Sequence, residues 1–446
     1  MFLRSIPSSR TLALLVAAAV TVLGASFALV WSGARNGSAW DTDVYEGYGA
    51  LMRHGEVPYR DFRVEYPPGA LPTFALPSAI ATPAGARVWE PVMNVPARRY
   101  AFRFGLEMIA LLCATIALTA ASLRALRASA GHVALAFALV ALSPLLLGDL
   151  VFTRFDPWPA ALTAAVLAAL LHDRTRLAGV VLGIAIATKL YPALLLPLAV
   201  AWVWRRRGAR EGIVILAATA ATTAAVFAPF LILSPGGAWW PVREQLTRGL
   251  QGESVGASIL SALHVLTFQL HAHGVPVPVA PLHLVESAGA LHSSEILGSA
   301  GAVVGALSGA LTLAVVVWAT AALARSPASG DHLVRFAAVV LAAQLALGRV
   351  LSPQFVIWLL PIVPLVIGRR GRAASALLTA TLLLTHLWFP GPYRDYVNNV
   401  VSGGAGPAGL LLIRNAVLVG LFLTLLLPRP AWASSQRTRA EATSAP

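Results

Sequence analysis

The residues best suited to chemistry lie together between positions 41 and 69, in the stretch DTDVYEGYGALMRHGEVPYRDFRVEYPPG. This stretch holds six of the 19 acidic residues of the chain, interleaved with aromatic residues: Asp41, Asp43, Glu46, Glu56, Asp61 and Glu65, with Tyr45, Tyr48, Tyr59, Phe62 and Tyr66. Carboxylates beside aromatic rings suit acid–base chemistry on a sugar or another polyol. The alternative interpretation is a folded, solvated loop between membrane helices.

The composition indicates an all-α polytopic membrane protein as the scaffold for these residues. Of 446 residues, 57% are hydrophobic and 12% charged, and the mean hydropathy is +0.73. Apolar runs of about 20 residues recur along the chain, which is the length that crosses a bilayer as a helix. The net charge of +14 comes from arginines at the ends of these runs, so the positive-inside rule explains it better than nucleic-acid binding. The single cysteine, Cys113, excludes an intrachain disulfide.

The charge distribution predicts about 12 transmembrane helices with both termini in the cytoplasm. Residues 1–427 then form one transmembrane domain, with a first outer loop at 32–99 and a second outer segment at 234–294, in which 257–270 dips back. The polar tail at 428–446 is predicted to be disordered and cytoplasmic. The apolar residues 70–82 are too short to cross and are expected in the interface.

Two segments are predicted to be hairpins of two short helices, with both ends in the cytoplasm and the tip near the outer face. Residues 177–204 have arginines at both ends, so a single crossing would break the charge rule. We therefore predict two short helices hinged at 188–192. The pair 334–348 and 353–368 has the same charge pattern. Broken helices of this kind are tolerated where they line a cavity.

This topology collects polar residues on the outer side of the membrane, where ionisable groups are functional by default. Cations there need an anionic partner, and a lipid phosphate would serve. The predicted phosphate-binding residues are Lys189, Arg349, Arg248 and Arg154. Lys189 is the only lysine in the chain, which indicates a need for a compact point charge; its alternative explanation is chance together with snorkelling.

Asp41 and Asp43 follow the first span and are the candidate general bases, with Asp41 favoured; the alternative for either is a helix cap. The histidines of the second outer segment are His264, His271, His273, His283 and His292. Their spacing fits no helical ligand pair, so we predict no metal site. Glycine-rich phosphate loops are absent from the sequence, and no cofactor is expected.

The stretch from 41 to 72 resembles the first outer loop of membrane glycosyltransferases of the GT-C superfold, and is most similar to glycosyltransferase family 87, the polyprenol-phosphate-mannose-dependent mannosyltransferases. Further similar segments are RFDPWPAAL at 154–162, AGVVLGIAIATKLYPALLLP at 178–197, QGESVGAS at 251–258 and LSPQFVIWLLP at 351–361. These segments are spread along the chain from 41 to 361 and follow the order found in the family.

The resemblance implies an inverting transfer of a sugar, mannose in this family, from a polyprenyl-phosphate donor on the extracytoplasmic side of the cell membrane. It places the general base on Asp41, although Asp43 lies two residues away. The expected acceptor is a glycolipid or glycan of the cell envelope, and membrane lipids are the other expected partners. The predicted substrate-binding residues are Tyr45, Glu65, Tyr66, Asp156, Tyr191, Gln354 and His386.

Two alternatives remain open from the sequence. One is a polyprenyl-phosphate-arabinose-dependent transferase, because nothing in the chain separates a pentose from a hexose. The other is a transporter or flippase of lipid-linked sugars, because broken helices with a midplane cation also suit transport. The crowding of acids in an outer loop favours chemistry at a surface.

Overall fold

The computed structural model describes residues 5–33, 40–79, 95–286 and 293–427, and these ranges are mostly helical. The helices are α1 (Ser9–Gly33), α2 (Trp40–Arg53), α3 (Leu71–Ala79), α4 (Val95–Ala125), α5 (Ala130–Ala141), α6 (Ser143–Leu147), α7 (Leu150–Thr153), α8 (Pro157–Leu171), α9 (Thr175–Thr188), α10 (Leu196–Arg207), α11 (Ala209–Leu233), α12 (Pro235–Thr247), α13 (Val255–Ala272), α14 (Ser299–Arg325), α15 (Gly330–Leu347), α16 (Gly368–Trp388), α17 (Gly391–Asn399) and α18 (Ala405–Leu426). Short 3-10 helices occupy Pro68–Ala70, Tyr191–Leu195, Pro353–Leu359 and Val363–Leu365.

Three short strands form a small antiparallel sheet in the second outer segment. They are β1 (Leu250–Gln251), β2 (His283–Glu286) and β3 (Ser294–Leu297), in the order β1-β3-β2. Ile296 in β3 pairs with Leu250 on one side and Leu284 on the other. The sheet therefore ties the residues just after α12 to the residues just before α14.

Seven helices of the described ranges are long and apolar enough to cross a membrane: α1, α4, α11, α13, α14, α15 and α18. The pair α16 and α17 passes the same test together but is bent by 64°. Shorter apolar segments are α5, α8, α9 and Pro353–Leu365. The prediction of an all-α polytopic membrane protein is confirmed, while the predicted twelve helices include these shorter segments, which length alone does not identify as crossings.

The first predicted hairpin is confirmed, because the basic ends of α9 and α10 meet. The Asp173 carboxylate, before α9, accepts hydrogen bonds from Arg206 Nε at 3.0 Å and Nη2 at 2.8 Å, at the end of α10. Arg207 Nη1 donates to the Asp173 carbonyl at 2.6 Å. Between the two helices the backbone is extended at Lys189, with φ −157° and ψ 144°. The break falls inside the predicted hinge.

The second predicted hairpin is confirmed in the same way. Arg335, in the first turns of α15, donates to the carbonyls of Leu425 at 3.1 Å and Leu426 at 2.9 Å. Arg370, in the first turn of α16, donates to the Leu427 carbonyl. The chain therefore enters and leaves this hairpin at the C-terminal end of α18. We call this end of the molecule, defined by Asp173, Arg206, Arg335 and Arg370, the basic face.

The apolar run at 132–150 is not one continuous helix but is divided into α5, α6 and α7. Pro144 lacks the N–H that a continuous helix requires, and Gly148 has a φ of +74°, which ends α6. The interruption lets the chain turn before α8. It brings residues 149–156 to the ends of the hairpins that lie away from the basic face.

Helix α13 lies beside the half of α18 that is farther from the basic face. Asn415, near the middle of α18, donates through Nδ2 to the carbonyls of Glu253 and Ser254, both at 3.2 Å. At the other end of α13, Gln269 Nε2 donates to the Gly403 carbonyl at 2.8 Å, just before α18. The inward dip at 257–270 stays a prediction, because α13 is also long and apolar enough to cross a membrane.

The first outer loop folds as α2, a 3-10 turn and α3, packed on an aromatic cluster. Tyr45 stacks on Phe74 with ring centroids 4.5 Å apart, and Tyr66 meets Phe155 edge-on at 4.6 Å. One face of α3 is buried in this cluster, so residues 71–79 of the stretch expected in the interface contact protein on that face. Residues 80–94, 34–39 and the tail at 428–446 lie outside the described ranges.

The charge rule predicts that the basic face is cytoplasmic, and thiol labelling of two exposed sites tests this in a Cys113→Ala background. Ala209→Cys lies at the start of α11 beside the basic face, and Glu56→Cys lies in the loop after α2; both positions are exposed. Ala209 is preferable to Gly208, whose φ of +90° disfavours a side chain. An impermeant maleimide added to intact cells should label the Glu56→Cys variant only. Labelling of the Ala209→Cys variant alone would invert the topology.

Candidate active site

Four charged residues converge at the ends of the hairpins that are remote from the basic face. Asp41 lies in the first turn of α2, Arg154 and Asp156 precede α8, and Lys189 occupies the break after α9. Three separate segments of sequence therefore supply two acids and two cations. Together with the aromatic residues around them, these four residues form what we call the charged cluster.

The first ion pair of the charged cluster joins Asp41 to Arg154. Arg154 Nε lies 2.9 Å from Asp41 Oδ2, and the side chains are only 4% and 12% exposed. The Nε–H is poorly aligned, so Arg154 Nε and Nη1 have no hydrogen-bond partner among the described residues. A buried guanidinium with unused donors is suited to an additional acceptor, such as an anionic or hydroxylated ligand.

The second ion pair joins Asp156 to Lys189. Lys189 Nζ lies 2.6 Å from Asp156 Oδ1, and Trp358 Nε1 donates to the same oxygen at 2.6 Å. Asp156 is fully buried, and its Oδ2 has no partner in the described part of the chain. This pair therefore joins the start of α8, the break after α9 and the end of the second hairpin.

The environment of Asp41 changes its acidity. Burial raises the pKa of the Asp41 carboxyl above its ordinary value, while the positive charge of Arg154 opposes that change. The Tyr45 hydroxyl, one turn along α2, also hydrogen-bonds this carboxylate. A carboxylate whose pKa is raised is a stronger base than an ordinary aspartate, which suits the acceptance of a proton.

Asp43 lies on the opposite face of α2 from Asp41. Residues two apart in an α-helix are about 200° apart around its axis, which follows from 3.6 residues per turn. Asp43 is exposed, whereas Asp41 is 8% exposed. The structure therefore brings Asp41, and not Asp43, into the charged cluster.

Arg248 and Arg349 lie at the edge of the charged cluster. Arg248 follows α12 and donates to Ser293 Oγ at 2.7 Å, and it lies within electrostatic range of Lys189. Arg349, at the tip of the second hairpin, donates to the Leu246 carbonyl. Both side chains are half-buried. Arg248 Nε also lies 3.8 Å from Glu295 Oε1, in an ion pair whose side chains are 16% and 22% exposed.

Among the predicted substrate-binding residues, the tyrosines lie close to the charged cluster. Tyr45 and Tyr66 have their hydroxyls 3.3 Å apart, and Tyr191 stacks on Trp358 with centroids 4.0 Å apart. Asp156 belongs to the charged cluster itself.

The other predicted substrate-binding residues lie farther out. Gln354 and Glu65 are half-buried, and Glu65 lies beside Tyr48. His386 is exposed and packs against Gly148, where no side chain would fit. The structure does not place these three side chains in contact with the two ion pairs.

The sequence analysis missed the aromatic residues that surround Lys189. Its Nζ lies over the rings of Phe155, Phe355 and Trp358, at 4.6, 4.9 and 5.0 Å from their centroids. Phe355 and Trp358 fall in an apolar run that was interpreted as half of a hairpin, where aromatic residues are unremarkable. Pro353 and Gln354, just before them, are the feature of the sequence that indicates an interrupted helix there.

No group of three or more His, Cys, Asp or Glu residues that could hold a metal occurs among the described residues. His264 is occupied by backbone: its Nδ1 lies 2.6 Å from the Ala280 carbonyl oxygen and its Nε2 lies 3.0 Å from that of Val401. His292 lies outside the described ranges. The absence of a metal from the reaction stays a prediction.

Comparison with known proteins gives similarity at the level of solved structures. No protein-family model matches the chain, and no curated protein matches it. The fold is similar to the crystal structure of ArnT from Cupriavidus metallidurans bound to undecaprenyl phosphate, with a TM-score of 0.46 and 14% sequence identity, over 94% of this chain and 78% of that chain. We transfer no residue role from that structure, and the resemblance to family 87 stays a prediction.

A second set of buried polar contacts, made by residues 251–253, joins α18 to the tip of the second hairpin. Glu253 Oε1 accepts a hydrogen bond from Trp388 Nε1 at 2.8 Å, and Arg414 Nη2 donates to the Glu253 carbonyl at 3.3 Å. Two residues earlier, Gln251 bonds the tip of the second hairpin, accepting from Leu351 N at 2.9 Å and donating to Ser352 Oγ at 3.2 Å. The tip is therefore anchored to α18 through residues 251–253.

Glu253 should make stability depend on pH. Burial raises its pKa from an ordinary 4.5 to about 7, so the folded protein binds this proton more tightly than the unfolded chain. Its contribution is fully present below pH 4.5 and is lost as the pH rises through 7, with a slope of up to about 1.4 kcal/mol per pH unit.

Thermal unfolding in detergent at several pH values between 5 and 8 checks this prediction. Glu253→Gln keeps the acceptor for Trp388 but cannot ionise, so its midpoint should fall less with pH than that of the wild type. Parallel curves for the two proteins would show that Glu253 does not titrate in this range.

Proposed function

We propose that this protein is an integral membrane glycosyltransferase of the GT-C type that transfers a sugar from a polyprenyl-phosphate donor to a hydroxyl of a lipid or glycan acceptor. The observation that carries the proposal is the buried ion pair between Asp41 and Arg154. It lies beside further cations, at the end of the molecule opposite the basic face. By the positive-inside rule the basic face is cytoplasmic, which would make the reaction extracytoplasmic. Mannose is the sugar we propose, on the resemblance of the sequence motifs.

The chemistry requires one base and several cations. Asp41 accepts the proton of the acceptor hydroxyl, whose oxygen forms a bond to the anomeric carbon from the side opposite the phosphate. The bond between the anomeric carbon and the phosphate oxygen breaks, and polyprenyl phosphate leaves with the bonding electron pair. The configuration at the anomeric carbon is inverted, and nearby cations stabilise the charge that develops on the phosphate.

Among the predicted phosphate ligands, we assign Arg248 and Arg349 to the donor phosphate. Both lie at the edge of the charged cluster, and each donates to a neutral oxygen that a phosphate could replace with a charge-assisted contact. Arg248 Nε also lies 3.8 Å from Glu295 Oε1, so a phosphate would compete with that carboxylate. Arg154 has an unused Nη1 donor, but it remains paired with Asp41. Lys189 is paired with Asp156 and is not assigned to the phosphate.

The test of the function is transfer by purified protein offered a panel of polyprenyl-phosphate sugars, including mannose and arabinose donors, with products identified by mass spectrometry. A glycosylated acceptor with the mannose donor supports the proposal. Use of the arabinose donor alone would replace mannose by the pentose. Movement of lipid-linked sugar across vesicles without any transfer would favour a flippase instead.

Asp41→Asn should lower turnover by about 10²–10⁴-fold while leaving donor affinity near the wild-type value, because asparagine keeps the size of the side chain but cannot accept the proton. Asp43→Asn is the matched control and should stay within a few-fold of the wild type, since Asp43 is exposed on the other face of α2. Steady-state kinetics at saturating acceptor separate the two effects. Loss of activity in Asp43→Asn with full activity in Asp41→Asn would move the base to Asp43.

The rate should also fall at low pH with a midpoint above the ordinary aspartate value of about 4, because the pKa of Asp41 is raised and protonation removes the base. A pH profile of kcat for the wild-type protein measures this midpoint. An acid limb at or below pH 4 would contradict the assignment of Asp41.

Arg349→Ala should raise the KM for donor by about 10-fold with a smaller change in kcat, because it removes one charge-assisted contact from a half-exposed site. Arg243→Ala is the control, since Arg243 is exposed on α12 and lies outside the charged cluster. Kinetics at varied donor concentration decide the question. Equal KM values in the two variants would exclude Arg349 as a phosphate ligand.

A further inference from the structure

The ammonium group of Lys189 contacts one carboxylate and three aromatic rings. One N–H points to Asp156 Oδ1, with Nζ at 2.6 Å from that oxygen, and the remaining surface of the ammonium faces the rings of Phe155, Phe355 and Trp358 at 4.6–5.0 Å. Each ring presents its negative face to the cation. A phosphate ligand would compete with Asp156 and the three rings for Nζ.

The same contacts act on only one oxygen of Asp156. Oδ1 accepts from both Lys189 and Trp358 Nε1, each at 2.6 Å, whereas Oδ2 is buried with no partner among the described residues. A buried carboxylate oxygen without a donor is costly. Because Oδ1 is held from two directions, the carboxylate cannot turn, and Oδ2 is fixed as the available acceptor.

A hydrogen-bond donor without a partner lies on Arg154, two positions before Asp156 in the sequence. Arg154 Nη1 is also buried and without a partner in the described ranges, and both Arg154 and Asp156 act electrostatically on Asp41. One free donor and one free acceptor beside the proposed base match hydroxyl groups, which both accept and donate hydrogen bonds. A phosphate, which offers only acceptors when ionised, would leave Asp156 Oδ2 unsatisfied.

We infer that Lys189 and Trp358 are positioning residues that fix Asp156 so that its Oδ2 binds a hydroxyl of the transferred sugar. This inference rests on the function proposed above, and it assigns Lys189 to the sugar rather than to the donor phosphate. It also explains why a lysine stands here in a chain that otherwise uses arginine: a compact ammonium fits among three rings, and a planar guanidinium does not.

The experiment compares the donor that the wild-type protein uses with the set of its monodeoxy derivatives, each lacking one ring hydroxyl. In the wild type, one derivative should lose roughly 10- to 150-fold in kcat/KM, the loss of one hydrogen bond to a charged group. In Asp156→Asn this ratio between parent and derivative should shrink several-fold. Lys189→Met and Trp358→Phe should shrink it as well, while the control Arg349→Ala should leave it unchanged.

The opposite pattern would overturn the inference. If Lys189→Met weakens the parent donor and every derivative equally, with the ratio intact, Lys189 contacts the phosphate. Trp358→Phe guards against misfolding, since it keeps an aromatic ring beside Lys189 while it removes the indole N–H that donates to Asp156. If no polyprenyl-phosphate sugar is used by the wild type, the proposed function fails as a whole, whereas unchanged ratios with an active enzyme remove this inference alone.

Thermal unfolding gives a second readout that does not depend on the substrate. Lys189→Met leaves a buried carboxylate without its cation and should lower the unfolding midpoint in detergent strongly. Adding Asp156→Asn should restore part of that loss, because the second substitution removes the uncompensated charge. Additive losses in the double variant would show that the two residues are not coupled and would also overturn the inference.

Discussion

The contact on which the site depends is the single carboxylate oxygen, Asp156 Oδ1, that accepts from both Lys189 and Trp358. It joins three segments that are far apart in sequence and that each interrupt a helix. Two charges buried this deeply are tolerated only when they are paired and hydrogen-bonded. Separating any one of the three segments would leave an unpaired charge in the interior, so the pair fixes how α8 and the two hairpins meet.

The hairpins themselves follow from where the arginines must lie. Asp173 with Arg206, and Arg335 with the end of α18, hold both ends of each hairpin at the basic face. Each hairpin then has to turn within the apolar interior, where an open turn would expose backbone groups. The break at Lys189 and the 3-10 helix after Ser352 meet this need by packing against protein.

The first outer loop covers the turn of the first hairpin. The Gly69 carbonyl accepts from Trp158 Nε1 at 3.1 Å and Thr188 Oγ1 at 3.2 Å, one residue before Lys189. A side chain at Gly69 would lie 2.7 Å from the Ala187 carbonyl, so only glycine permits this approach. This contact joins the first outer loop, which contains Asp41, to the break that contains Lys189. It places the proposed base next to the proposed sugar-binding carboxylate.

The sequence alone determined the class of the protein, the two hairpins and the location of the hinge at Lys189. These follow from apolar length and from the positions of arginines, which are local properties of the chain. It also selected Asp41, Arg154, Asp156 and Lys189 as functional candidates, because charges beside apolar runs need a reason. It could not say which acid pairs with which cation, nor that Trp358 donates to Asp156 from 202 residues away, since these contacts join separate segments of the chain. Only the tertiary structure decided that Asp43 faces away from the site, that Trp358 belongs to it, and that Lys189 is enclosed by aromatic rings. Each of these outcomes depends on how separate helices pack, which no local pattern of residues encodes.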